Sequence, residues 1–114
     1  PGANRTAILE FMVPDVDAEF ARLEAEGGWR IVPVPAPDTL QDEKGWVDWS
    51  YINHYVVNGG VILCGFDDPG DARAVEIMRE VYPGREVVLV DARPLFARGG
   101  GVHCITQQQP RPLA

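Results

Sequence analysis

The chain is short of positive charge. Ten lysines and arginines stand against 17 aspartates and glutamates in 114 residues, a formal net charge of −7. That balance excludes a nucleic-acid partner, because phosphate binding needs a basic face. It suits a cationic small molecule, and it equally serves plain solubility. Long apolar runs are also missing. VILCGF and VVLV fall far below the roughly 20 residues of a spanning helix, so no membrane partner is expected. No charged-then-apolar leader is present. The chain opens on Pro-Gly rather than Met, which points to a processed or excised start. Histidine and cysteine are scarce, with two of each. Four ligands at recognisable spacing are absent, so His103 and Cys104 make a weak metal site. Cys64 and Cys104 are numerous enough for one disulfide, but nothing else reads as secreted. Both are expected to be reduced thiols in a cytoplasmic setting.

What is present reads as mixed α/β. A chain of this length can bury a core, with little margin. Residues 7–13 (AILEFMV) suit a strand. Asp15 or Asp17 then caps a helix, with Val16, Phe20 and Leu23 on one stripe at i, i+4 and i+7. Gly27 and Gly28 end it. Residues 29–34 suit a second strand, cut short by Pro33, Pro35 and Pro37. Residues 36–45 read as loop. Residues 46–57 are rich in aromatic and β-branched types and run into Asn58-Gly59, a strong hairpin signal. Residues 60–66 form the returning strand.

Asp68 and Pro69 mark the next helix start. Ala74, Ile77, Met78 and Val81 make its buried face, and Pro83-Gly84 stops it. Residues 86–90 (EVVLV) read as a strand buried on both faces. From 46 to 90 the order is therefore strand, strand, helix, strand, the last three able to form a βαβ crossover. A last short strand is expected at 102–107.

The stretch GGGVHCITQQQP, residues 99–110, concentrates the chemistry. Three glycines cost about 0.5–1 kcal/mol each in chain entropy relative to alanine. Either the backbone there needs positive φ or tight packing, or a ligand must lie against it. A thiol at such a junction is a common place for a nucleophile. His103 is a poor base for Cys104 if the segment is extended, because neighbours then face opposite ways. His54 is the other histidine, and nothing in the sequence brings it near. Cys64, inside VILCGF, reads as a buried apolar residue. Trp46, Trp49, Tyr51 and Tyr55 read as core or interface.

These residues carry a resemblance. GGGVHCITQQQP resembles the C-terminal signature of the agmatine deiminases, a branch of the guanidino-group-modifying (pentein) superfamily. The likeness runs back through VPAPDTL and WVDWSYINHYVVNGGVILCGF to about residue 29. It implies ββαβ pentein-type modules, here a partial propeller, following an N-terminal strand-helix-strand unit. It also implies a hydrolase of agmatine, a guanidino compound of polyamine biosynthesis. Cys104 matches the nucleophile. Gly100 and Gly101 match the backbone packed around the planar guanidinium, and neither a metal nor an organic cofactor takes part.

Family members are about three times longer. Their catalytic histidine and substrate carboxylates lie on modules that this sequence does not contain. The expectation is a C-terminal deiminase portion, residues 29–114, with little turnover alone, supplied with missing modules or working as a homo-oligomer. Residues 1–28 stand apart. With the strand to 34 they resemble the opening of a vicinal-oxygen-chelate (glyoxalase-type) module, without its metal ligand, which raises a fusion. A non-catalytic, dimeric binding or assembly module is the alternative.

Overall fold

A computed structural model describes residues 15–27, 30–110 and 112. The chain divides into two compact units at Pro33/Val34. The N-terminal unit contributes helix α1, Val16–Ala25. Asp15 is its cap: the carboxylate accepts from the Ala18 N–H at 2.9 Å and satisfies one of the free first-turn donors. Gly27 takes φ +74° just past the helix end, the left-handed conformation glycine adopts without a Cβ clash. The strand expected at 7–13 lies outside the described residues. The strand expected at 29–34 does not form over residues 30–34, which pair with no strand among the described residues. Three prolines in five residues remove the N–H groups a ladder would need.

The C-terminal unit is built on a three-stranded sheet ordered β3-β4-β5: Tyr55–Val57, Gly60–Gly65 and Glu86–Asp91. β3 and β4 form an antiparallel hairpin across Asn58-Gly59, with Gly59 at φ +76°. β5 lies parallel to β4. Parallel neighbours need a crossover, and helix α2, Asp71–Val81, is that connection. The strand-strand-helix-strand order read from the sequence is therefore the order observed.

Three readings are corrected. Residues 36–45 are not all loop: Gln41–Asp42 (β1) and Gly45–Trp46 (β2) pair in a small hairpin, with Gly45 at φ +125°. Residues 46–57 are not one strand: Trp46 ends β2, and of the rest only Tyr55–Val57 pair. β5 is not buried on both faces. It is an edge strand, and Val88 and Leu89 are 44% and 41% exposed.

The core lies between β4 and α2. Val61, Leu63, Cys64 and Phe66 meet Ala74, Met78 and Tyr82 there. Phe66 stacks on Trp49 at 5.0 Å and meets the edge of Phe96 at 5.2 Å. Trp46 is 78% exposed, so the four aromatics divide: Tyr51 is buried and Trp49 and Tyr55 pack on the core.

Two buried carboxylates tie the loops down. Asp71 accepts from the Tyr51 hydroxyl at 2.7 Å and from the Phe66 N–H. Asp68 was expected as the α2 cap. The helix instead begins after Gly70, and Asp68 is only partly committed there, accepting from the Gly70 N–H at 2.8 Å. Its other bonds come from the N–H groups of Asp38 and Thr39, from the Thr39 hydroxyl and, at 3.4 Å, from the Tyr51 hydroxyl. Asp68 thus trades a capping role for anchoring the proline-rich segment.

Candidate functional site

Residues 102–107 do not form the expected strand. After β5, the short helix α3 (Arg93–Phe96) leads into the glycines, and His103–Ile105 make one 3-10 turn. Each glycine has its own local reason. Gly99 closes α3, donating to the Phe96 carbonyl at 2.9 Å with φ +95°. A Cβ on Gly100 would sit 3.0 Å from both Cβ and Sγ of Cys104. A Cβ on Gly101 would lie 2.5 Å from Cγ of Asn53 and 2.8 Å from the Phe96 ring, closer than real Cβ atoms come. The triplet therefore lets the turn bearing Cys104 press against the body of the unit.

Cys104 is exposed and unpaired. Its sulfur accepts from the Asn53 side-chain amide at 3.2 Å. The other end of that amide accepts from the His103 N–H at 2.8 Å. Asn53 thus closes a ring around the peptide unit just before the thiol. The Asn53 hydrogen bond, then one from the Gly101 backbone, hold the Cys104 thiol below its ordinary pKa. The cause is direct, because a donor aimed at sulfur favours the thiolate. Thr106 finishes the turn, its hydroxyl donating to the carbonyls of Val102 and His103.

Asn53 escaped the sequence reading. It stands 51 positions before Cys104, in a stretch rich in strand formers. The available signal was its own type: asparagine is depleted in strands, and Ile-Asn-His breaks an otherwise β-rich run. The chain does break there. The His54 N–H donates to the Ile52 carbonyl at 2.9 Å, a three-residue turn with Asn53 at its apex.

His54 is buried, 4% exposed, and its ring points into the core rather than to the thiol. Its nitrogens lie 3.1 Å from the Tyr51 carbonyl and 3.0 Å from the Tyr82 hydroxyl. Burial lowers its pKa and keeps it neutral. Cys64 is fully buried, as read from the sequence, and its S–H donates to the Asn53 carbonyl at 2.7 Å. Burial raises its pKa, so it is the inert thiol of the two. Gly100 and Gly101 flank the site, Gly101 being buried. Among the described residues no group of three or more histidine, cysteine or acidic side chains could hold a metal ion. No described helix is long and apolar enough to cross a membrane.

Comparison with known proteins places this arrangement in context. The family model described as Porphyromonas-type peptidyl-arginine deiminase matches residues 15–110. A Streptomyces coelicolor protein named "Putative agmatine deiminase" is 58% identical over 104 residues, covering 90% of this chain and 29% of that protein. The agmatine deiminase of Pseudomonas putida is 50% identical over 64 residues, covering 56% of this chain and 17% of the enzyme. The solved C. jejuni agmatine deiminase superposes with a TM-score of 0.76 at 22% identity, over 87% of this chain and 31% of that one. That last likeness concerns fold alone. The chain spans under a third of the length of these relatives. The family match begins at residue 15 and so includes α1; the glyoxalase-type resemblance of residues 7–34 gains no support.

Proposed function

Because the chain belongs to the Porphyromonas-type peptidyl-arginine deiminase family, we propose that it is the thiol-bearing C-terminal portion of an agmatine deiminase. The observation that carries this reading is the exposed Cys104 thiol, held by the Asn53 amide with its pKa lowered. A guanidinium is resonance-stabilised and a poor electrophile, so it calls for a thiolate nucleophile. The Cys104 thiolate attacks the guanidinium carbon. One nitrogen takes a proton and leaves as ammonia, giving an S-alkylthiouronium. Water then attacks the same carbon, the thiolate departs, and N-carbamoylputrescine is released. The cationic substrate itself favours the thiolate, since opposite charge stabilises the ionised form. Backbone at Gly100 and Gly101 accommodates the planar group. No metal or organic cofactor enters these steps.

The proton donor for ammonia and the carboxylates that orient the cation come from further modules of a propeller, beyond the region of residues 29–114. Turnover by this chain alone is accordingly small. The half-exposed Val88 and Leu89 on edge strand β5 favour a second reading, an assembly module that pairs with another copy. Sedimentation separates the two: a monomer at micromolar concentration opposes the assembly reading.

The test is the pH dependence of Cys104 alkylation, followed by mass spectrometry of the peptide that bears it, with agmatine added or omitted. The expected result is a midpoint below that of a free cysteine, roughly 8.5, and protection by agmatine. An ordinary midpoint with no protection overturns the reading. Steady ammonia release from agmatine by the chain, lost in Cys104→Ser, would overturn the dependence on further modules.

A further inference from the structure

The deepest polar side chain near the thiol is one the chemistry above does not use. His54 lies beneath Asn53, buried, with both ring nitrogens occupied. A carbonyl only accepts, so Nδ1 carries the proton and donates to Tyr51. Nε2 is then the acceptor, and the Tyr82 hydroxyl donates to it. Tyr82 is itself buried and fixed at the end of α2, its N–H donating to the Met78 carbonyl at 2.9 Å. The chain from α2 to the thiol is continuous: Tyr82, His54, the turn at Ile52–His54, Asn53, Cys104.

Position within the turn makes this more than proximity. His54 contributes two donors to the carbonyls just before it, its N–H to Ile52 and its ring to Tyr51. The Cys64 S–H donates to the Asn53 carbonyl. Three backbone carbonyls in a row are therefore held, which fixes the backbone from which the Asn53 side chain projects. Among the described residues its contacts are the thiol, the His103 N–H and the space left by Gly101.

We propose that His54 is a positioning residue for Cys104: clamped between Tyr51 and Tyr82, it fixes the turn that aims the Asn53 amide at the thiol. The inference rests on the nucleophile reading of Cys104, but its structural half can be read separately. An apolar ring at 54 would fill the space and lose both bonds. A glutamine can still donate to Tyr51 and accept from Tyr82.

The experiment compares wild type, His54→Phe, His54→Gln and Tyr82→Phe in the full chain. Two quantities are read: hydrogen-exchange protection of the His103 amide, which reports whether Asn53 still faces it, and the midpoint of Cys104 alkylation. The proposal expects His54→Phe to lose His103 protection by tenfold or more and to move the alkylation midpoint toward that of a free thiol. His54→Gln restores both, and Tyr82→Phe moves both the same way by less. A folded His54→Phe with wild-type protection and midpoint overturns the proposal. Should His54→Phe fail to fold, an unchanged Tyr82→Phe overturns it instead. An ordinary midpoint already in wild type, with protection still lost in His54→Phe, removes the nucleophile reading and leaves the clamp standing.

Discussion

The Asn53 amide reaches the Cys104 sulfur at 3.2 Å across 51 residues of chain, and its oxygen takes the N–H of the residue just before that thiol. One side chain thus both stabilises the thiolate and fixes the turn that bears it. Asn53→Ala removes both effects. Asn53→Asp keeps an acceptor for His103 but puts a negative charge where the donor stood, and like charge disfavours the thiolate. Alkylation of Cys104 at neutral pH should slow in both variants, more in Asn53→Asp, while its rate well above pH 9 converges on wild type. A neutral-pH rate equal to wild type in Asn53→Asp would show that the amide does not act on sulfur.

Gly101 and Gly100 differ in what surrounds them, and alanine scanning should separate them. At Gly101 the new methyl meets both Asn53 and Phe96 below 3 Å. Overpacking of this kind costs about 1–3 kcal/mol, and the group displaced is the one that holds Cys104. Gly101→Ala should therefore lower the denaturation midpoint and raise the thiol pKa together. At Gly100 the methyl meets only Cys104 itself, at 3.0 Å. Gly100→Ala should shift thiol reactivity with a smaller loss of stability, as checked by denaturant titration beside alkylation.

How much of this was legible in the sequence depends on the range of the interaction. The β3-β4-α2-β5 order follows from local signals: the Asn58-Gly59 turn, the apolar face of Ala74, Ile77 and Met78, and the Pro83-Gly84 stop. Cys104 stands out in the sequence because a short motif carries it. Asn53 and His54 do not, because their partners are Cys104, His103, Tyr51 and Tyr82, and pairing at such separations leaves no periodicity. The strand expected at 102–107 does not form, for a related reason. Thr106 bonds back to Val102 and His103, and a hydroxyl that caps a turn competes with a strand ladder. The apolar run of β5 gave no hint that the strand lies at an edge, since composition does not say what covers a strand.

Asp68 should give the fold an acid limit of its own. Burial pushes its carboxyl up, but hydrogen bonds from the Thr39 hydroxyl and from the N–H groups of Gly70, Asp38 and Thr39 outweigh this and lower its pKa to about 2 from the usual 3.8. The folded value is depressed, so the unfolded chain binds the proton more readily. The contribution is present above about pH 4 and is lost as pH falls toward about 2. Linkage puts it at up to about 2 kcal/mol at neutral pH. Urea titrations from pH 2 to 6 should show Asp68→Asn less stable than wild type at pH 6, with the gap closing below pH 4. A gap of constant size would mean the bonds to Thr39 and Asp38 do not depend on the charge.

Asp71 supports the same region from inside. It accepts from the Tyr51 hydroxyl and from the Phe66 N–H, both buried. Tyr51 in turn offers its carbonyl to His54, so the network ends one residue from the turn that carries Asn53. Asp71→Ala strands the Phe66 N–H, at about 1–3 kcal/mol, and leaves the Tyr51 hydroxyl only its longer contact to Asp68 at 3.4 Å. Tyr51→Phe removes one of those donors, but it strands one side of a carboxylate that keeps its backbone bonds, and should cost less. The two changes share one hydrogen bond, so the double variant should fall short of their sum by about 1 kcal/mol or more. Strict additivity in thermal or urea denaturation would mean that the 2.7 Å contact contributes nothing to stability.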